Sequence, residues 1–433
     1  MSTRRVLIIG LSSHWGGRLA QELESDRGIE ALIGIDTDDP RHELRRTEFV
    51  RVGTEQSLLR RIIAAAAIDT VVDTRLITDP LTTTLERAHE VNVVGTRNLI
   101  AACGEAGSTV GKLVFKSSAL LYGCEHDDPA FFGEDMVRSH PPRTALERDV
   151  VEAERIVSEL VAARPDLIVT TLRCAETTGA EPGGSIMALL NLPVVPAILG
   201  FDPRWQLIHE EDVIGALAHA VRRDLPGRYN AAADGVLALS EIASLLGKPL
   251  LPVLPPWGTE FAAAQLRRLG LRIPVELLRH LRFGQGLDNR RLKATGYAYR
   301  YTTREAVLKL RAQQRLRPML RSGGESYRYE QEVEDFLRWS PSVHEAAAHR
   351  GDQGDRAPPS ADAQDVPDAS RAGSNGPASV AYDELSEHEL IALISSLEPE
   401  ALEHLRSYER AHRRRREVLA ALDQNLERRG ESR

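Results

Sequence analysis

The chain has 433 residues, of which 42% are hydrophobic and 27% charged, with a formal net charge of −8. That length allows two or three domains, or one large α/β domain with extensions, and the composition is that of a soluble globular protein. The acidic balance argues against a general nucleic-acid or anionic-membrane binder, and no run reaches the ~18 apolar residues of a membrane span. The scattered Cys103, Cys124 and Cys174 show no disulfide framework and no metal-ligand spacing, so a cytoplasmic location is expected.

Two arginines precede a short β-branched run, Arg5–Ile9, which glycine then interrupts. It reads as a first strand and not as a signal peptide. Gly16–Glu24 is helical, and Ala31–Asp36 and Phe49–Val52 read as strands. Leu58–Ala67 is helical, Thr70–Thr74 a strand and Leu85–Ala106 one long helix. Lys112–Ser117, Arg143–Ala163 and Leu167–Arg173 continue the alternation as strand, helix and strand. Continuous apolar strands separated by helices require a parallel sheet covered on both faces, the doubly wound Rossmann-type α/β class.

From about residue 180 to 315 the pattern loosens into short elements broken by Pro and Gly, as expected for a small interleaved substrate lobe closing a domain of residues 1–315. Residues 316–349 read as a helical extension. Residues 350–380 are rich in Gly, Pro, Ser, Ala and Asp and carry too little apolar surface to offset ordering, so a disordered linker is expected. In residues 381–433, Ser386 and Glu389 make a capping-box pattern and Pro399 suits the first turn of a second helix. The apolar stripe continues through Leu402, Leu405, Val418 and Leu422 and implies a helical hairpin. A tethered amphipathic hairpin of that size serves as a module for self-association or for docking a protein partner. Its Arg413–Arg416 run lies among Glu400, Glu403, Glu409 and Glu417 and reads as a solvated face of the last helix, not as a nucleic-acid site.

The candidate ligand site is the turn Gly10-Leu-Ser-Ser13-His-Trp-Gly16. It follows a strand and opens a helix, the setting that a dinucleotide fingerprint needs. Gly10 makes the tight turn, Gly16 lets helix and strand approach, and the helix N-terminus faces a pyrophosphate. Asp36 ends the second strand about 20 residues on, where a carboxylate accepts ribose hydroxyls and repels a 2′-phosphate, favouring NAD over NADP. A turn with no ligand, and an aspartate that only caps its own turn, are the alternatives.

Further segments carry a resemblance. Asn92-Val-Val-Gly95-Thr96-Arg-Asn98, Lys116-Ser117-Ser118-Ala-Leu-Leu-Tyr122-Gly123, Leu172-Arg173 with Gly179, His209-Glu-Glu-Asp212-Val, Tyr229-Asn230 and Asp288-Asn-Arg-Arg-Leu follow one another in order. Over residues 4–312 the chain resembles the NAD-dependent epimerase/dehydratase family, the extended short-chain dehydrogenase/reductases, and is similar to the atypical UDP-glucose 4-epimerase-like proteins of actinobacteria. The resemblance implies bound NAD, a nucleotide-sugar ligand, Asn92 among the cofactor-binding residues and Ser118 as the catalytic serine. It also exposes departures. The family's Tyr-x-x-x-Lys pair falls on Leu146 and Val150, which carry no proton or charge. Ser13 replaces the middle glycine, Gly53 an aspartate, Asp73-Thr74-Arg75-Leu76 a His-x-Ala-Ala stretch, and Glu176 a substrate-contacting asparagine. Arg75 either neutralises phosphate or fills the cleft. Asp149, Glu147, Glu176 and His209 are candidates for substitute acid/base chemistry, while Tyr122 reads as a packed aromatic. Two functions follow: an epimerase/dehydratase-like protein that has lost its usual pair, or a non-catalytic scaffold or sensor that recruits a partner through its tail. A steroid- or flavonoid-type dehydrogenase of the same superfamily is not separated from these by the residues.

Overall fold

The computed structural model describes residues 4–53, 55–105, 107–179, 185–254 and 275–315, and in the C-terminal part residues 387, 391, 394, 399–411 and 414–430. The expected helical extension at 316–349 and the expected linker at 350–380 lie outside the described residues. The chain divides into two compact units, Met1–Leu310 and Arg311–Arg433.

In the first unit the apolar runs form strands β1 (Arg4–Ile9), β2 (Ile29–Asp36), β3 (Glu48–Arg51), β4 (Thr70–Asp73), β5 (Lys112–Ser118) and β6 (Ile168–Cys174). Shorter strands follow: β7 (Glu176–Thr178), β8 (Val195–Ile198), β9 (Arg204–Trp205), β10 (Leu207–His209), β11 (Gly227–Ala231), β12 (Leu237–Ala238), β13 (Leu250–Leu254) and β14 (Gly284–Gln285). The helices of this unit used below are α1 (His14–Glu24), α2 (Gln56–Ala65), α3 (Leu85–His89), α4 (Thr96–Cys103), α5 (Ala145–Ala163), α6 (Ser185–Asn191), α7 (Glu210–Arg222), α8 (Leu239–Leu246), α9 (Val275–His280) and α10 (Arg290–Ala294).

Seven strands make one parallel sheet in the order β3-β2-β1-β4-β5-β6-β11. The order reverses between β1 and β4, so a crevice opens beyond their carboxyl ends, the usual place for a ligand in this class. Alternate side chains of each strand enter opposite layers. Val6, Ile8, Val114 and Leu172 pack with Leu19 and Leu23 of α1 and Val213 and Leu217 of α7. Leu7, Leu113 and Phe115 pack on the other face with Leu59 of α2, Leu99 of α4 and Leu146, Val150 and Val157 of α5. A third cluster, built on Leu189, Leu190, Trp205, Ile242 and Leu281, is the core of the smaller lobe, in which β13 pairs with β8 and β9 lies between β12 and β14.

The helix expected over 85–106 differs in two respects. It ends at Cys103, and Glu90–Gly95 forms a π-helical turn between α3 and α4. There the buried Asn92 turns inward: its Oδ1 accepts the Ile77 amide at 2.7 Å and its Nδ2 donates to the Ile77 carbonyl at 2.7 Å. A wider turn that aims one side chain at a partner is the usual sign of such a bulge.

In the second unit α11 (Pro399–Ala411) and α12 (Arg416–Gly430) pair, with Leu402, Leu405, Val418 and Leu422 buried. The stretch expected as one helix is broken: Arg414 takes φ 54° in the connecting turn, and Arg415 reaches back so that its amide and Nε bind the buried Glu409 at 3.1 and 2.8 Å. Arg414 and Arg415 therefore lie between the two helices and not within one, because an internal carboxylate draws Arg415 out of the helical face.

Candidate functional site

Sequence dictates a tight turn at the end of β1. Gly10 sits at φ 91°, which L side chains rarely adopt, and a Cβ on Gly16 would stand 2.1 Å from the Gly10 carbonyl oxygen. The α1 terminus thus rests directly on the turn. Ser13 closes it, its Oγ donating to the Gly10 carbonyl at 2.6 Å and accepting the Gly16 amide at 3.1 Å. Asp36 lies across from it at the end of β2. One carboxylate oxygen accepts both the Ser12 amide at 3.0 Å and the Ser12 hydroxyl at 2.5 Å, and the other accepts the Thr37 amide at 2.8 Å. A carboxylate has about four acceptor positions, so capacity for a further hydroxyl remains.

Arg75 covers this turn. Its Cγ lies 2.6 Å from where a Cβ on Gly10 would be. Its guanidinium forms a two-pronged pair with the buried Asp73, Nε to Oδ1 at 2.8 Å and Nη2 to Oδ2 at 2.6 Å. Gly10, Ser13, Gly16, Asp36 and Arg75 are therefore brought together. Asn92 is spent on clamping the loop after β4, as described above.

The end of β5 supplies a second group of residues. Ser118 is half-buried and its Oγ accepts the Leu120 amide at 3.2 Å, starting a short 3-10 turn. Its register partner is Cys174 at the end of β6. Lys116, two residues earlier on the same face, is buried with its Nζ 4.7 Å from the Trp15 ring centroid at the start of α1. Burial depresses its pKa, against the pull of Cys174, Glu176 and Asp73. Lys116 belongs to the motif that leads to Ser118, and the motif assigns it no role. The signal was available: a lysine has no place in a strand covered on both faces unless something nearby offsets its charge.

Glu176 begins β7, two residues beyond Cys174. It is exposed, and it borders a recess that Trp205, Gln206, His280, Gln285 and Leu287 also line. Gln285 Nε2 donates to the carbonyls of Ala119 at 3.1 Å and Gly123 at 2.7 Å, tying the recess to the turn after Ser118. Desolvation by the neighbouring chain pushes the Glu176 carboxyl up to about 7, helped by Asp79 and opposed by Lys116.

Leu146 and Val150 have no solvent exposure and sit in the α5 face of the core. Their neighbours are committed elsewhere. Asp149 pairs with His89 at 2.8 Å. Glu147 is enclosed by Arg138 at 2.6 Å and Arg279 at 2.9 Å. His209 has no exposure at all. Tyr122 stacks on Phe132 with centroids 4.8 Å apart, donates to Asn230 Oδ1 at 2.8 Å and accepts from Arg173 at 2.8 Å. Arg173 also binds the buried Glu154 of α5, Nη2 to Oε2 at 2.6 Å. The family-like Leu-Arg pair and Tyr122 thus belong to an internal network. Asp212, in the His-Glu-Glu-Asp segment, accepts the amides of Arg300 at 2.7 Å and Tyr301 at 3.2 Å and so anchors the last block of the domain.

A parallel sheet of this order, a glycine turn packed on a helix terminus and a carboxylate closing β2 define a dinucleotide-fold protein of the extended short-chain dehydrogenase type. The profile of the NAD dependent epimerase/dehydratase family matches residues 6–232. Uncharacterized proteins of Mycobacterium tuberculosis and Mycobacterium bovis are each 33% identical over 309 residues, covering 70% of this chain and 81% of theirs. Among solved structures, MoeE5 in complex with UDP-glucuronic acid and NAD is 22% identical with a TM-score of 0.54, covering 72% of this chain and 99% of its own. UDP-glucose 4-epimerase of Thermotoga maritima with UDP-glucose is 15% identical with a TM-score of 0.56, covering 73% and 99%. The chain belongs to the NAD dependent epimerase/dehydratase family.

Proposed function

We propose that the protein binds NAD along the β1–α1 turn and a nucleotide sugar between the sheet and the smaller lobe, and that it does so without the family's Tyr/Lys pair. The observation that carries this is the cradle itself: a Cβ at Gly16 would meet the Gly10 carbonyl at 2.1 Å, and Asp36 keeps acceptor capacity at the end of β2. Those residues fit a dinucleotide, whose pyrophosphate would lie at the α1 terminus and whose adenosine ribose would lie on Asp36. Bound there, a nicotinamide supplies hydride exchange with a sugar carbon. Arg75 is placed to exchange Asp73 for a phosphate oxygen, a charge-assisted substitution that guanidinium geometry allows. Ser118 would orient the reacting oxygen. The mycobacterial relatives and the sugar-nucleotide structures of the same fold support the reading.

Calorimetric titration of NAD and NADP tests it. We expect NAD to bind more tightly than NADP, and Asp36→Ala to weaken NAD at least tenfold, about 1.4 kcal/mol. Failure of both dinucleotides to bind would remove the reading. A second reading, a non-catalytic scaffold or sensor acting through residues 381–433, is favoured by one observation: Leu146 and Val150 are apolar and have no exposure, so no proton can be handled there.

A further inference from the structure

We propose that Glu176 is the proton-exchanging group of this site, with Lys116 and Ser118 beside it. The inference rests on the ligand reading above and goes beyond it by naming the residue that handles the proton. Leu146 and Val150 leave that role vacant on α5, so the acid/base group must come from another element.

Four side chains could supply it, and packing separates them. Asp149 is held by His89 at 2.8 Å, Glu147 by two arginines, and His209 is sealed from ligand by complete burial. Glu176 alone of the four is exposed, the others being buried, and no hydrogen bond fixes its carboxylate among the described residues. It stands at the carboxyl edge of the sheet. Ser118 and Cys174 are register partners there, Lys116 lies two residues before Ser118, and Glu176 two residues after Cys174. Successive even positions of a strand share a face, so Lys116 and Ser118 point into the α1 side of the sheet, where Lys116 meets Trp15. Serine hydroxyl, ammonium and carboxylate therefore gather at the mouth of the crevice.

Their electrostatics suit the task. A group that both takes and returns a proton works best when it titrates near the working pH. Desolvation by the neighbouring chain and the Asp79 charge raise the Glu176 carboxyl to about 7, and the Lys116 ammonium tempers the rise. The other titratable groups facing it are Cys174 at the end of β6 and His280 of α9 across the recess, and Asp73 acts on it through Lys116.

The step balances as follows. The proton of a ligand hydroxyl passes to a carboxylate oxygen of Glu176, and its electron pair stays on the sugar oxygen, which Ser118 and Lys116 stabilise by donating hydrogen bonds. As that oxygen becomes a carbonyl, the carbon–hydrogen bond breaks and hydride leaves for the nicotinamide of the dinucleotide named above. Return of the hydride and of the Glu176 proton restores the alcohol.

The test compares wild type, Glu176→Gln and Glu176→Asp. Calorimetry reads NAD and UDP-glucose binding, infrared difference titration reads the carboxyl, and nicotinamide absorbance reads a single turnover. We expect Glu176→Gln to bind both ligands within about threefold, to lose a carboxyl titrating near neutrality, and to fall at least ~100-fold in reduced nicotinamide formed. Glu176→Asp should restore part of the turnover with a displaced pH profile, which also covers failure of the Gln variant to fold. Unchanged turnover in Glu176→Gln, or no carboxyl signal lost with residue 176, overturns the proposal. So does a wild type that binds both ligands and forms no reduced nicotinamide, an outcome that leaves the ligand reading intact. A wild type that binds neither overturns the ligand reading and this proposal with it.

Discussion

His209 caps α7 with no solvent exposure, its Nδ1 accepting the Glu211 amide at 3.3 Å while Nε2 is enclosed. Burial, reinforced by the Lys309 charge, lowers its pKa from 6.5 to about 4. Burial likewise lowers His280 to about 4. Both imidazoles are held neutral in the folded state. Below about pH 6.5 the unfolded chain takes protons that the folded chain refuses, so this stability is complete above that pH and is lost as pH falls toward 4. Between pH 7 and pH 5 each histidine should remove about 2 kcal/mol. Urea midpoints measured across that range should fall steeply in the wild type. His209→Gln, less stable at pH 7, should show about half the slope; an equal slope would mean that His209 is not the titrating group.

At the scale of elements, the π-turn over Glu90–Gly95 fixes the loop that follows β4. Asn92→Ala leaves the amide and carbonyl of Ile77 without their partner, at a cost of about 2–3 kcal/mol if they stay dry. The same change should loosen Arg75, since its loop is what Asn92 holds. We expect a lowered Tm together with faster amide exchange at Ile77, and a Tm unchanged from wild type would show that the clamp is not needed. This clamp was beyond the reach of the sequence: a 3.6-residue period marks the helix but does not reveal one turn widened by a long-range hydrogen bond. The first six sheet strands were legible to within a residue or two, because uninterrupted β-branched runs admit few other folds. So were Gly10, Gly16 and Asp36, whose types are dictated by local backbone geometry. β11 was not, since Gly227, Arg228 and Asn230 weaken its pattern and the strand is held by partners distant in sequence: Asn230 Nδ2 donates to the carbonyls of Phe132 at 2.9 Å and Asp288 at 3.2 Å. Glu176 was named as one of several carboxylates; its recess depends on Trp205, His280 and Gln285, which only the folded chain brings near it.

For the molecule as a whole, the division at Leu310 separates the sheet unit from the helical pair α11–α12. Under the scaffold reading, removal of residues 381–433 should change oligomeric state or recovered partners while leaving NAD affinity within about twofold. Sedimentation velocity and calorimetry on the full and shortened chains check this. If assembly and partners are both unaffected, that reading loses its support. The sheet unit also carries a consequence in its three cysteines, which are all buried and free. Burial pushes Cys103 and Cys124 up to about 12 and raises Cys174 as well. As thiols they are poor nucleophiles, silent toward alkylating reagents while the fold is closed. They occupy three different places: Cys103 at the end of α4, Cys124 against the Gly284 carbonyl, and Cys174 at the end of β6. The order in which they become reactive during mild denaturation would chart which region opens first, with no probe engineered into the chain.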